Sequence, residues 1–162
     1  MRKSLFVLAV VAVICMGFSS PSNAGENISQ EDAQKMMTQA GDIAKKNFAG
    51  RPITIAVCDA SGVLVGFTRM DGVPLRTIYI AQQKAYTAVF MASTTGAFGL
   101  RLKNENLQAS DFCDPKNSLT AIDGGAPIKN SKGVTIGGLA VSGLKAEEDA
   151  AIVAEVLSTF GK

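Results

Sequence analysis

Apolar residues recur at helical spacing in three parts of the chain. These parts predict helices that run from the N-cap Ser29 to Gly50, over residues 78–92 and over residues 145–160. After the second helix, Gly96 and Gly99 interrupt the pattern ahead of a short further predicted helix. The polar stretch at residues 103–117 is typical of a surface loop or lid.

Shorter runs rich in β-branched residues predict strands between these helices. The runs cover residues 53–58, 63–69, 118–122, 127–129 and 134–141. Turn-forming residues at 59–62 join the first two runs into a hairpin, and a second turn is predicted at 130–133. The order of the elements, with a hairpin, helices and then further strands, predicts an α+β domain with an antiparallel sheet.

The first 24 residues have the layout of a secretory signal peptide. Arg2 and Lys3 precede an uncharged run over residues 5–18, and small residues follow at Ser22 and Ala24. The uncharged run is shorter than the roughly 20 residues that a membrane-spanning helix needs. Residues 1–24 are therefore predicted to be a signal peptide cleaved after Ala24, and the mature protein is expected to be periplasmic or extracellular.

The charge balance of the predicted mature chain, residues 25–162, excludes one class of partner. The whole sequence has 16 basic and 14 acidic side chains, and two of the basic ones lie in the predicted signal. The 14 remaining basic residues are scattered among 14 acidic ones, without the cationic cluster that nucleic acids require. We predict a single domain that binds no nucleic acid and has no membrane span after signal cleavage.

The residue types present restrict the available chemistry. The sequence has no histidine, which excludes Ser-His-Asp and Cys-His catalytic units and histidine-ligated zinc. No phosphate-binding P-loop or paired-cysteine metal motif is present. These absences favour a binding protein over an enzyme, and no catalytic residue is assigned.

Two cysteines remain after the predicted cleavage. Cys58 lies in an apolar strand-like run, where buried free thiols are common, and Cys113 lies in a polar loop. A disulfide between them stays open as an alternative, since the predicted compartment permits one.

Glycines beside polar groups mark two candidate ligand-contacting segments. Arg69, Asp71 and Gly72 precede the second long helix, and Gly124 and Gly125 lie between late strands. Glycine lets backbone amides approach a ligand closely. The alternative interpretation is that these segments are tight turns.

The second helix carries an aromatic stripe formed by Tyr79, Tyr86 and Phe90. This stripe suits the core or an oligomer interface, and it also suits a wall for a flat aromatic ligand. Arg76 and Lys84 are then candidates to meet a ligand carboxylate, although such side chains ordinarily face solvent.

Three ordered blocks of sequence resemble the GlcG/HbpS-like family of haem-binding proteins, a family related to the C-terminal domain of PduO-type corrinoid adenosyltransferases. The blocks are IAVCDASGVLVGFTRMDG with IAQQKAYTA, at residues 55–72 and 80–88, then DGGAPI at 123–128 and VTIGGLAVSG at 134–143. The resemblance implies a profilin-like α+β fold, with helices flanking the antiparallel sheet, and a homo-oligomer. It also implies haem, or a related tetrapyrrole, as the ligand.

The resemblance predicts a secreted or periplasmic haem-binding protein that sequesters or delivers haem or senses redox state. The predicted ligand-binding residues are Arg69, Asp71, Gly72, Tyr79, Lys84, Tyr86, Gly124 and Gly125. Because histidine is absent, any iron ligand must be Met, Tyr, Cys, Lys, Thr or water, and Met36 and Met37 are the candidate residues. Two alternatives stay open, namely an accessory protein or enzyme that binds a small carboxylic acid of glycolate-type metabolism, and a purely structural oligomer.

The predicted cleavage can be tested on the exported protein. N-terminal sequencing is expected to give a mature chain that begins at Gly25, because Ser22 and Ala24 fill the small cleavage subsites. Retention of Met1 on soluble protein inside the cell would contradict the prediction.

Overall fold

A computed structural model of the chain describes residues 27–116 and 118–160. The predicted signal peptide lies outside the described residues. The helices are α1 (Gln30–Asn47), α2 (Arg76–Phe90), α3 (Thr95–Glu105) and α4 (Ala146–Thr159), with a single 3-10 turn at Ala109–Phe112. The strands are β1 (Thr54–Asp59), β2 (Leu64–Arg69), β3 (Gly125–Lys129) and β4 (Thr135–Ser142).

The four strands form one antiparallel sheet in the order β2-β1-β4-β3. Alternation along β1 directs Ile55 and Val57 to the core shared with α1 and α4, and Ala56 and Cys58 to the core shared with α2. The sheet therefore lies between two helical layers. This arrangement confirms the predicted α+β fold with an antiparallel sheet flanked by helices.

The strand predicted at residues 118–122 is wrong, because this segment packs against helices instead of pairing with the sheet. The backbone N–H of Thr120 donates to Thr87 Oγ1 of α2. At Gly99 of α3, a Cβ atom would lie 3.0 Å from the carbonyl oxygen of Ala121. The backbone N–H of Thr120, which could otherwise pair with a strand, thus bonds to a side chain of α2.

The two glycines that were expected to interrupt the helical pattern lie inside α3. The backbone N–H of Gly96 donates to Asp123 Oδ1, and a Cβ atom at Gly96 would lie 2.5 Å from the same carboxylate. Gly96 and Gly99 therefore allow the segment before β3 to approach the helix closely. This close approach depends on tertiary packing, so the local sequence pattern does not indicate it.

Small residues also bring α2 close to the sheet. Ala81, Ala85 and Ala88 are fully buried on the helix. A Cβ atom at Gly138 of β4 would clash with the carbonyl oxygen of Ala85, and one at Gly125 of β3 would lie 2.6 Å from the carbonyl oxygen of Lys84. The separation between α2 and the sheet is thus set by backbone contact.

A buried ion pair joins α2, β4 and α4. Lys84 Nζ lies 2.9 Å from Asp149 Oδ2 and donates to the carbonyl oxygen of Val141 at 2.9 Å. Asp149 Oδ1 accepts from the backbone N–H of Leu144 at 3.0 Å. Burial lowers the pKa of Lys84 and raises the pKa of Asp149, and the attraction between the two charges opposes both shifts.

This pair gives a stability prediction. Lys84→Met leaves the Asp149 carboxylate buried without its partner, so the free energy of unfolding should fall by about 3–5 kcal/mol in urea denaturation at neutral pH. Lys84→Met with Asp149→Asn should recover part of this loss, because the amide removes the unpaired charge while its oxygen still accepts from Leu144. Equal stability of Lys84→Met and the wild type would contradict a structural role for the pair.

Candidate functional site

A cleft of about 400 Å³ opens between α2, the β1–β2 turn and the loop that follows the 3-10 turn. Its walls include three exposed apolar or aromatic side chains: Val63 is 57% exposed, Leu64 is 46% exposed and Tyr79 is 63% exposed. The other lining residues are Cys58, Gly62, Gln82, Gln83, Tyr86, Lys116 and Ser118. Exposed apolar groups gathered in a concave surface are typical of a ligand site.

Tyr86 organises one wall of the cleft. Its hydroxyl donates to Asp114 Oδ1 at 2.7 Å. The ammonium of Lys116 lies 4.5 Å from the centroid of the tyrosine ring and donates to the carbonyl oxygen of Gly62 at 3.4 Å. Tyr86 therefore holds Lys116 at the cleft by a cation–π contact, and its own ring is largely covered.

The loop below Tyr86 is shaped by Asp114. Its carboxylate accepts from the backbone N–H groups of Lys116 and Ser118, as is usual for aspartate at the start of a turn before proline. Burial opposes ionisation of Asp114, but the hydrogen bonds from Tyr86, Ser118 and Lys116 outweigh it and lower the pKa. Asp114 is thus a charged anchor that fixes both the loop and the phenol.

The Gly62 backbone packs directly on the Tyr86 ring. The φ angle of Gly62 is +72°, and a Cβ atom there would lie 2.5 Å from Cδ2 of Tyr86. Glycine is therefore needed both for the turn conformation and for the contact.

The thiol of Cys58 forms part of the cleft floor. Burial, the largest cause, raises the pKa of this thiol to about 12. The thiol is therefore neutral at physiological pH and a poor nucleophile. Cys58 is buried and Cys113 is exposed, and both are free thiols in this structure, so the two do not form a disulfide.

The structure divides the predicted ligand-binding residues between the two sides of α2. Tyr79 and Tyr86 line the cleft described above. Lys84 is fully buried beside Gly124 and Gly125, and its ammonium binds Asp149. Lys84 is thus part of the core and not of the Tyr79 cleft, in contrast to the expectation that it faces the same ligand as the tyrosines.

Arg69, Asp71 and Gly72 lie away from the tyrosines. Arg69 ends β2, five residues from the cleft residue Leu64, which corresponds to roughly 17 Å along a strand. All three residues of this segment are exposed, and Gly72 has a φ angle of +82°. The positive φ angle agrees with the tight-turn interpretation of this segment.

Met36 and Met37 lie in the core between α1 and the sheet. Met36 is 3% exposed and Met37 is 5% exposed. The sulfur of Met37 accepts from Thr68 Oγ1 at 3.6 Å, and a Cβ atom at Gly66 would lie 2.7 Å from Met37 Cε. In this structure both side chains fill space on the face of the sheet opposite the Tyr79 cleft. In the described part of the chain, no cluster of three or more cysteine, aspartate or glutamate side chains could hold a metal ion.

Sequence reasoning missed most of the cleft. The residues not predicted are Cys58, Gly62, Val63, Leu64, Gln82, Gln83, Lys116 and Ser118. Gln82 and Gln83 follow Tyr79 by three and four positions on α2, so helical periodicity was a usable signal for them. Lys116 reaches Tyr86 only through the folded loop, which no local pattern indicates.

The environment of Tyr86 predicts an unusual alkaline titration. Burial first, and then the hydrogen bond to Asp114, raise the pKa of Tyr86 to about 12 from 10.0. Because the sequence has two tyrosines and no tryptophan, Tyr79→Phe leaves Tyr86 as the one phenol, and its ultraviolet absorbance should report ionisation near pH 12. Because the pKa of Tyr86 is higher in the folded state than in the unfolded state, the un-ionised phenol stabilises the folded protein. This contribution to the free energy of unfolding is fully present below about pH 10 and is lost as the pH rises towards 12.

Asp114→Asn provides the matched control for this titration. Removing the carboxylate should lower the pKa of Tyr86 only part of the way to its ordinary value, because burial, the larger cause, remains. Ionisation of Tyr86 at the same pH in both variants would exclude the bond between Tyr86 and Asp114.

Comparisons with known proteins agree with this fold. The family model described as "Haem degrading protein HbpS-like" matches residues 28–158. The crystal structure of HbpS is 27% identical, with a TM-score of 0.73 over 84% of this chain and 92% of that chain. A double mutant of Streptomyces reticuli HbpS is 24% identical, with a TM-score of 0.74 over 96% of this chain and 99% of that one.

A third solved structure, the complex of PduOC with haem, is 23% identical, with a TM-score of 0.72 over 82% of this chain and 94% of that one. No curated protein sequence gives a significant match. No helix in residues 27–116 and 118–160 is long and apolar enough to cross a membrane. Since the family model covers most of the sequence, in agreement with the resemblance seen in its three blocks, the chain belongs to the HbpS-like family.

Proposed function

We propose that this protein binds haem in the cleft beside Tyr79. Membership of the HbpS-like family and the haem complex of the structurally similar PduOC support this proposal. The observation that carries it is one concave surface that combines an exposed aromatic ring, exposed aliphatic side chains and a fixed ammonium group. Haem has the matching features, with a flat apolar ring and two propionate carboxylates.

The residues of the cleft fit such a ligand. Its volume of about 400 Å³ lies in the usual range of 300–1,000 Å³ for cofactor pockets. Val63, Leu64 and Tyr79 expose apolar surface whose removal from water stabilises a complex. Lys116 supplies the charge for a propionate, and its contact with Tyr86 restricts its position before any ligand arrives.

The surroundings of each donor atom favour Tyr79 as the iron ligand. Tyrosine is an established haem ligand. The hydroxyl of Tyr86 is bonded to Asp114, and the Cys58 thiol, with a pKa of about 12, is not a thiolate. Met36 and Met37 are buried on the other face of the sheet, so we prefer the exposed Tyr79 phenol to the two methionines. Bound haem would supply redox-active iron, and the chain would hold it and limit its access to water.

We further propose that binding serves haem sequestration, haem delivery or redox sensing outside the cytoplasm, in keeping with the predicted signal peptide.

We also propose that the protein forms a homo-oligomer. The edge strand β2 leaves one side of the sheet unpaired, and the exposed residues Val63 and Leu64 adjoin it.

Haem titration followed by visible absorption tests the proposal. The wild type should give a saturable Soret change, and Tyr79→Ala should weaken binding about tenfold, because it removes both an aromatic contact and the ligand. Tyr79→Phe keeps the ring and should change the Soret position with a smaller loss of affinity. Lys116→Ala should weaken binding by about fivefold, since an exposed charge pair contributes up to about 1 kcal/mol.

Lys132→Ala is the matched control, because Lys132 is exposed in the turn between β3 and β4 and takes no part in the cleft. A linear, non-saturating titration would refute haem binding. Saturable binding with unchanged affinity and spectrum in all Tyr79 and Lys116 variants would keep haem as the ligand and exclude this cleft.

A further inference from the structure

The cleft beside Tyr79 contains no anionic group of its own. Among the residues that line it in the described part of the chain, Lys116 is the only one with a charged side chain. Two carboxylates lie in the adjoining turns, but Asp59 accepts from the backbone N–H groups of Ser61 and Val63, and Asp114 accepts within its own loop. A negative charge that meets a bound metal in the cleft must therefore come from a side chain that ionises on binding.

Tyr79 is the side chain of the cleft that can supply this charge. It is 63% exposed, so its hydroxyl is open to a ligand. The Tyr86 hydroxyl is bonded to Asp114, and burial, which raises the pKa of Cys58 to about 12, keeps that thiol protonated. The sequence has no histidine, and the cleft lining contains no methionine. A metal in the cleft therefore meets a hard oxygen donor and neither imidazole nor thioether.

The charge of a phenolate discriminates between metal oxidation states. When Tyr79 binds a metal, its O–H bond breaks, the proton passes to water, and an electron pair of the oxygen forms the bond to the metal. A porphyrin ring carries two negative charges, so its centre has one net positive charge with a trivalent metal and none with a divalent metal. The phenolate thus neutralises the trivalent centre, but on the divalent centre it leaves a negative charge without a partner.

We propose that Tyr79 makes the cleft selective for ferric over ferrous haem. This inference rests on the proposed haem site and specifies the oxidation state that the site holds. Soft donors act in the opposite direction, since a methionine ligand raises the reduction potential of haem iron. Met36 and Met37 lie in the core on the other face of the sheet, away from the cleft. The position of Tyr79 therefore links the retention of haem to its oxidation state.

Gallium(III) and zinc(II) protoporphyrins test this selectivity without any change of oxidation state. They share the ring and both propionates, they differ in the charge at the centre, and both fluoresce, so titration of the protein gives their dissociation constants directly. The wild type should bind the gallium complex about fivefold more tightly than the zinc complex. Tyr79→Phe should abolish this difference. In Lys116→Ala both affinities should fall by the same factor, because the propionates are common to the two probes.

Haem itself provides the second measurement. Under nitrogen, dithionite supplies the one electron that each ferric iron needs to become ferrous, and the wild type should bind the ferrous form about fivefold more weakly than the ferric form.

Two kinds of failure can be told apart. Saturable binding of both oxidation states with equal affinity in the wild type, or selectivity that persists in Tyr79→Phe, would overturn the role of Tyr79 and leave the haem site standing. Absence of saturable binding by every porphyrin would overturn the haem site and the selectivity together.

Discussion

The buried ion pair between Lys84 and Asp149 is the constraint on which the arrangement of this fold depends. It joins the helix on one face of the sheet to the helix on the other, through the end of β4. A charge pair in a protein interior adds little net stability compared with apolar residues, but it strongly disfavours structures that leave one partner alone. The pair therefore specifies how α2 and α4 meet.

The Tyr79 cleft depends on a different network, and this network is local to the surface. Tyr86 bonds Asp114, and Asp114 in turn fixes the backbone around Lys116. The Tyr86 hydroxyl therefore ties the loop to α2, and Asp114 fixes the backbone within the loop. The cleft is consequently prearranged, which lowers the conformational entropy lost when a ligand binds.

The sequence was sufficient for the fold but for only part of the site. Helical and alternating patterns identified α1, α2, α4 and the β1–β2 hairpin, because these elements bury one continuous face. The segment at 118–122 resembled a strand locally, yet its Thr120 N–H donates to the distant Thr87 on α2 and not to a neighbouring strand. Lys84 was expected to meet a ligand carboxylate because of its charge beside the aromatic stripe, and its burial depends on Asp149, which is 65 residues away in the chain.

The two faces of the sheet are packed by different kinds of side chain, and this difference determines which substitutions each face tolerates. On the α2 face, alanines and glycines bring backbones together, so an added methyl group at Gly138 has no space to enter. On the α1 face, flexible side chains such as Met36 and Met37 fill the gap and can rearrange around a neighbour of different size. In a library of random core variants, surviving substitutions should therefore accumulate on the α1 face, and the α2 face should stay nearly unchanged.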